Sequence, residues 1–311
     1  MGDGNTMKPF LSVYGHVTVD SIVTVEDFPK LNTTVDITSK KTFLGGTGTN
    51  IAVNAAKLGV PTALCALVGK DLPSEFYDTI KESGVIMDEF IPVDDWETST
   101  AIVVNDSKLD QKVLFFQGPQ GYASQIGIKM TKMASQSDYV HFCTGEPKYY
   151  ISIMKQIHSP NRKIVVDPAQ EVHRFWNSDN LSEAMNYADY LFCNRYEADS
   201  VIKHLGIASI GDTGKELAVC TKGREGSTAY FNGNEFNIPL VKGTNVVDAT
   251  GAGDSYRAGF YAGLYRKMSI KESLVIASAV ASFTVEKKGA MSNIPTWEQA
   301  YERAKNYLPK A

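Results

Sequence analysis

Between residues 139 and 223 the chain repeats one pattern: YVHFCTG (139–145) precedes a stretch of helical period over Lys148–His158, and KIVVD (163–167) follows. YLFCN (190–194) then leads into helical spacing over Arg195–Leu205, and LAVCTKG (217–223) closes the series. Each short run is a near-unbroken string of Val, Ile, Leu, Phe and Cys. A strand that shows apolar side chains in both directions is covered on both faces, as in a parallel sheet wrapped by helices. Outward from this core, FLSVYG (10–15) and TALCALVG (62–69) have the same character, the latter before a helix from about Pro73. The fold class expected is α/β, a three-layer α/β/α arrangement around a mostly parallel central sheet. The alternation runs through nearly all of the 311 residues, so a single domain over 1–311 is expected.

Two stretches, about 20–43 and 99–118, break the alternation with consecutive strand-like pieces such as AIVVN (101–105) and KVLFF (112–116). Both leave the main pattern and return to it. They read as a small separate β-sheet, a lid over a site on the larger body, with a plain extension of the main sheet as the alternative. Helical spacing dominates the end of the chain, over Ser255–Arg266, Ser269–Val285 and Thr296–Leu308.

The formal net charge of −4, with both signs mixed evenly, supplies no basic stripe for a phosphate backbone, which argues against nucleic acid as a partner. Cys65, Cys143, Cys193 and Cys220 all sit in strand-like apolar runs without C-x-x-C spacing, and the five histidines are scattered. Core thiols in a reducing compartment follow, rather than a zinc site or disulfides. No apolar run approaches the roughly 20 residues of a membrane span, so a soluble, cytoplasmic protein with no membrane partner is expected. The opening MGDGNT matches the myristoylation pattern at Gly2 and Thr6, but no basic cluster follows to supply a second membrane signal.

Asp248-Ala249-Thr250-Gly251-Ala252-Gly253-Asp254 leads directly into the helical run SYRAGFYAGLYR (255–266). Small residues at a helix start let backbone N–H groups converge on an anion, and the helix dipole favours negative charge there. Gly251, Ala252 and Gly253 would cradle a phosphoryl group while Asp254 accepts the proton of an attacking hydroxyl. A glycine-rich turn before Asp is also a common helix start. Elsewhere, Phe115, Phe116 and Gln117 of KVLFFQGPQ and Gln170 of DPAQEV offer aromatic faces and amides suited to a nucleobase. Strand alternation lets only one of the two phenylalanines face a ligand. Glu146 of CTGEP reads equally as a contact to the acceptor or as a surface loop residue.

The 248–254 segment resembles the D-[TA]-x-G-A-G-D signature of the ribokinase-like (PfkB) family of carbohydrate and nucleoside kinases. Gly45-Gly46-Thr47-Gly48-Thr49-Asn50-Ile51-Ala52 is similar to that family's G-G-x-[GA]-x-N-x-A signature, in the right order along the chain. A dinucleotide-binding reading of this front loop is weaker, because it follows the lid-like segment and lacks the third glycine at its spacing. The resemblance implies a ribokinase-like fold and transfer of the γ-phosphate of ATP to a hydroxyl. It implies that Asp20, Gly45, Gly46 and Asn50 hold the acceptor, and that Glu197 of Asn194-Arg195-Tyr196-Glu197 places Mg2+ through water.

By the same resemblance Asn194, Thr221, Gly223 and Gly226 bind nucleotide, with Lys222 or Arg224 adding charge or standing in solvent. Asn293 would close the adenine pocket with the stretch Lys288-Gly289-Ala290, and Ser278 would occupy a helix position that faces the base. Asp248 and Thr250 would permit a monovalent cation such as K+. Within the family the chain is most similar to the archaeal-type broad-specificity nucleoside kinases, which implies the 5'-hydroxyl of a nucleoside as acceptor. Thr47 replaces the lysine that ribokinases carry in this loop. A kinase of ribose, fructose or a sugar phosphate is the alternative, and an inactive nucleoside or nucleotide sensor a further one. The open lid edges would let two copies pair as a homodimer.

Overall fold

A computed structural model describes residues 8–108 and 110–309. The myristoylation pattern lies outside the described residues. The central sheet has nine strands in the order Asn234–Ile238, Ser227–Phe231, Leu217–Thr221, Tyr190–Asn194, Lys163–Val166, Tyr139–Phe142, Leu11–Tyr14, Thr62–Gly69 and Phe90–Val93. Every neighbouring pair from Leu217–Thr221 to Phe90–Val93 is parallel, whereas the two strands at the other edge are antiparallel. The antiparallel ribbon at 227–238 carries no signal that separates it from the parallel run in the sequence.

Alternation within the strands sorts two apolar cores. Leu11, Val13, Leu64, Ala66, Phe192 and Val219 point to one face, where Ile51, Phe260, Ile276 and Ala300 of the covering helices meet them. Tyr14, Cys65, Leu67, Leu191 and Cys193 point to the other, against Met133, Tyr150, Leu181 and Val201. Two covered faces account for the unbroken apolar runs and give the three layers. All four cysteines are buried free thiols.

A smaller sheet stands apart, in the order Ile37–Gly45, Thr18–Val25, Thr100–Asn105 and Gln111–Phe116. It is built from the two stretches that break the alternation, so the extension of the main sheet is not what forms. Its register sets Asp20 beside Ala101 and Ala101 beside Phe115 on one face, while Ile102 and Leu114 pair on the other. Among the described residues no helix is long and apolar enough to cross a membrane.

The helix at 252–265 begins three residues earlier than its apolar spacing indicates, because Gly251 starts it in the left-handed region (φ 74°). A side chain at that position would run into Ala290. The glycine therefore sets both the turn and the close approach of the 289–291 loop.

Candidate active site

At the C-terminal ends of the parallel strands, where such sheets bind ligands, a cleft of about 790 Å³ opens under the small sheet. Its walls come from both signature loops. Gly46 turns the chain into the helix Thr47–Lys57 with φ 94°, and a side chain there would strike the His16 carbonyl. Asn50, in the first turn of that helix, donates from Nδ2 to Oδ2 of Asp254 at 2.7 Å, joining residues 204 positions apart. Asp254 stands in the first turn of the helix Ala252–Tyr265. Burial pushes its carboxyl up to about 6, held back by the Asn50 hydrogen bond and the Arg257 guanidinium. It is thus a carboxylate at neutral pH with a pKa close enough to take a proton.

One turn on, Arg257 also lines the cleft. Its Nε donates to Asp167 Oδ2 at 2.7 Å, Nη2 to Oδ1 at 3.2 Å, and Nη1 to the Gly253 carbonyl at 3.2 Å. Asp167 meets His141 Nε2 at 3.2 Å, and His141 Nδ1 meets the Tyr261 hydroxyl at 2.7 Å. Burial alone would raise the Asp167 carboxyl, but Arg257 and His141 outweigh it and hold it down at about 2. Against burial, Asp167 holds the guanidinium above its ordinary value. The result is a fixed positive group beside Gly253 and Asp254, its planar fork gripped by a bidentate carboxylate.

The Asn194–Glu197 motif has a local physical cause. Asn194 Oδ1 accepts from the amides of Tyr196 (2.8 Å) and Glu197 (2.9 Å), while Glu197 Oε2 accepts from the Asn194 amide (2.7 Å). This is a capping box for the helix Arg195–Leu205. The Asn194 side-chain oxygen is committed to its own helix, although the residue borders the cleft. Burial, with a push from Asp167, raises the Glu197 carboxyl to about 7.

Of the residues singled out in the sequence, Asp20, Gly46, Asn50, Phe115, Gln170, Asn194, Glu197, Thr221, Gly223, Thr250, Gly251, Gly253 and Asp254 line this cleft. Burial raises the Asp20 carboxyl against the hydroxyl of Thr18, which donates to it at 2.6 Å. Gly45 ends its strand against the Asp20 carboxylate. Phe116 turns outward, as alternation demands. A second, more apolar cavity of about 350 Å³ adjoins the cleft at Thr221, Gly223 and Gly253, and Gly226, Ala252 and Ser278 lie there with Val246, Tyr256 and Val285.

Five of the expected residues have polar groups taken up within the chain. The amide of Ala252 donates to the Ala249 carbonyl (3.1 Å), which takes it out of the expected anion cradle and leaves Gly251 and Gly253. Gln117 is absent from the cleft wall, and its carbonyl instead accepts from Ser99 Oγ (2.7 Å) and bonds His16 Nε2 (3.1 Å). Glu146 is held away by the amide and hydroxyl of Ser124. The Ser278 hydroxyl accepts from the amide of Val241 (2.8 Å) and donates to the carbonyl of Pro239 (3.0 Å), and the residue lines the second cavity. Asn293 lies outside both cavities and donates to the Phe283 carbonyl at 2.6 Å.

Asp248 does not border the cleft either. It accepts from the amides of Thr250 (2.9 Å) and Gly289 (3.0 Å), which against partial burial hold its carboxyl below its ordinary value. It ties the 250–253 turn to the 289 loop. Lys222 reaches back to Thr228 Oγ1 (2.7 Å), leaving Arg224 as the exposed cation where the two cavities meet. Sequence reading missed His16, Asp167, Glu171 and Arg257. Three of these sit at or just beyond the C-terminal ends of parallel strands, a positional signal that was available.

Both cavities and the two signature loops lie together at one end of the sheet, and the relatives of this chain, nucleoside kinases and ribokinases, give its class, a phosphotransferase that uses an alcohol group as acceptor. The model of the pfkB family of carbohydrate kinases matches residues 8–297, and the chain belongs to that family. The nucleoside kinase of Methanocaldococcus jannaschii is 31% identical over 98% of this chain and 99% of its own length. That of Methanothermobacter thermautotrophicus is 34% identical over 94% of each chain. The crystal structure of the M. jannaschii enzyme superposes with a TM-score of 0.88 at 30% identity, covering 97% of this chain and all of that one.

Proposed function

We propose that the protein is an ATP-dependent nucleoside kinase, working in the cytoplasm, that moves the γ-phosphate onto the 5'-hydroxyl of a nucleoside. The observation that carries this reading is the 2.7 Å bond from Asn50 to Asp254, which brings an acceptor-gripping loop and a base together at the foot of one cleft. Similarity to nucleoside kinases over nearly the whole chain favours a nucleoside over a free sugar. Phe115 and Gln170 on the cleft wall supply an aromatic face and an amide for a base.

In this mechanism Asp20, Gly46 and Asn50 hold the sugar, and Asp254 accepts the proton as the hydroxyl attacks. The amides of Gly251 and Gly253, with Arg257 beside them, face the charge that spreads over the phosphoryl oxygens. Asp167 keeps the guanidinium in place, so no reorganisation accompanies transfer. The second cavity takes the adenine between Val246, Tyr256 and Val285, and Arg224 sits where the phosphates pass from one cavity to the other.

Magnesium keeps much of its water and binds through one or two carboxylates plus phosphates. Glu197 fits that role: one oxygen is fixed by Asn194 and its carboxyl borders the cleft. Bound there, the ion would neutralise the phosphate chain. Asp248 and Thr250 remain a candidate pair beside a K+ ion. The small sheet acts as a lid that excludes water as a competing acceptor. On its far face Ile102, Leu114 and Phe116 are exposed, which supports pairing of two lids in a homodimer.

The test is incubation with ATP, Mg2+ and a panel of nucleosides and sugars, read as nucleoside monophosphate formed. Monophosphate release from nucleosides supports the reading; phosphorylation of ribose or fructose alone overturns it.

A further inference from the structure

The hairpin of the small sheet leaves and re-enters the body side by side. Ser99 precedes the strand Thr100–Asn105, Gln117 follows Gln111–Phe116, and the Ser99 hydroxyl donates to the Gln117 carbonyl at 2.7 Å. Gly118 then turns the chain away at φ 56°, so close to Ser99 that a side chain there would strike its amide. From the body, His16 Nε2 reaches the same Gln117 carbonyl at 3.1 Å. A carbonyl only accepts, so Nε2 carries the hydrogen. Burial pulls the imidazole down to about 4, which keeps it neutral in that role.

His16 is itself held by the body. It follows the strand Leu11–Tyr14, and a side chain on the intervening Gly15 would run into the Gly48 backbone. The His16 amide donates to Thr144 Oγ1 at 3.4 Å, and its carbonyl accepts from the Thr49 amide at 3.3 Å. Strand alternation sends the side chains of residues 115 and 117 to the same side. There the Gln117 side-chain amide meets both the imidazole and Glu171. Burial raises the Glu171 carboxyl to about 7, against the Gly145 and Gln117 amides, and the Gly145 amide donates to Oε2 at 2.5 Å. Gln117 is thus gripped twice, by its carbonyl and by its side chain. The Phe115 ring, two residues earlier, stands edge-on to His16 with centroids 5.4 Å apart at 87°, and it borders the cleft.

Building on the nucleoside reading, we propose that His16 and Glu171 are positioning residues that fasten the small sheet to the body through Gln117 and so set the Phe115 ring against the acceptor base. Neither side chain takes part in phosphoryl transfer. With the fastening gone, the return strand loses its seat, the acceptor is held less well, and water competes with its hydroxyl for the phosphoryl group. The adenine cavity, formed by other loops, is untouched.

The experiment supplies ATP, Mg2+ and adenosine, inosine, cytidine or uridine, and measures both KM values together with the ADP released per nucleoside monophosphate formed. His16→Phe keeps a ring beside Phe115 and removes the donor. It is expected to raise the nucleoside KM about tenfold, to leave the KM for ATP in place, and to release ADP in excess of monophosphate. His16→Gln sets an amide NH2 near the Nε2 position and should recover most of the loss. A merely structural role would lower kcat and raise both KM values together, with no rescue by Gln. Gln117→Leu removes the second grip from the side of the small sheet and should show the same split, which keeps the test open should His16→Phe fail to fold. Wild-type nucleoside KM and one ADP per monophosphate in the variants, or a Gln variant as impaired as Phe, overturns the fastening and leaves the nucleoside reading standing. Phosphorylation of sugars alone overturns that reading, and the ADP excess measured with ribose then decides the fastening by itself.

Discussion

The strand end at Asp167 and the helix start at Asp254 each turn an aspartate toward the same guanidinium, yet the two carboxyls are driven apart. Asp167 receives two hydrogen bonds from Arg257 and one contact from His141, and lies at about 2. Asp254 has the Asn50 amide and only the field of Arg257, and lies at about 6. Burial opposes ionisation in both. The difference is made by who holds the positive charge at hydrogen-bond distance. A carboxylate fully paired becomes an anchor, and one left partly paired stays able to take a proton.

The largest effect expected on this contrast comes from Asp254→Asn, which should cut kcat on the order of a thousandfold while calorimetry shows an ATP analogue still binding. Loss of both together would mean that the fold was damaged and the assigned base untested by rate alone, so the circular dichroism melt is measured alongside. Next, Asp167→Asn leaves Arg257 buried without its counter-ion and should destabilise the protein by about 3 kcal/mol in urea unfolding. The same change removes the charge that raises Asp254, so the acid limb of the pH–rate profile should move to lower pH. A limb that stays put would break the coupling between the two aspartates.

With the wild-type chain, protonation of Asp254 disables the base of the proposed mechanism. kcat/KM should therefore fall about tenfold per pH unit below about 6 and level off above it. Asn50→Ala withdraws the hydrogen bond that favours the carboxylate, which shifts that limb to higher pH. The smallest effect is expected from Asn194→Ala. Loss of the cap should cost about 1 kcal/mol of stability, because the residue's oxygen serves its helix.

The three-layer fold was legible because strands covered on both faces show apolar side chains in both directions, as Thr62–Gly69 does with every residue buried. The small sheet was legible as a break in that pattern. Asp254 could be named from the sequence because a glycine-rich turn before a helix constrains what the backbone does locally, whereas Asn50 and Asp20 came only with the resemblance to the family. Of the four residues missed, His16, Asp167 and Glu171 follow strand ends, and Arg257 depends on long-range pairing. Arg257 reads as an ordinary polar position on an amphipathic helix until Asp167, 90 residues earlier, is placed against it. Ser278 lines the second cavity while its hydroxyl backs a loop, and Asn293 turns to the Phe283 carbonyl, because which group a side chain meets depends on carbonyls that sequence does not place.

The hairpin Thr100–Asn105 to Gln111–Phe116 is closed by Asp106, whose carboxylate accepts from the amides of Lys108 and Asp110, each at 2.9 Å. Because side chains in a strand alternate sides, that clamp does more than end a turn: it counts residues. Losing one residue between Asp106 and Phe115 would carry Leu114 and Phe116 inward and Phe115 outward in a single stroke. Length in this loop should therefore tolerate far less drift among relatives than its exposure to water would allow, and insertions there should come in pairs.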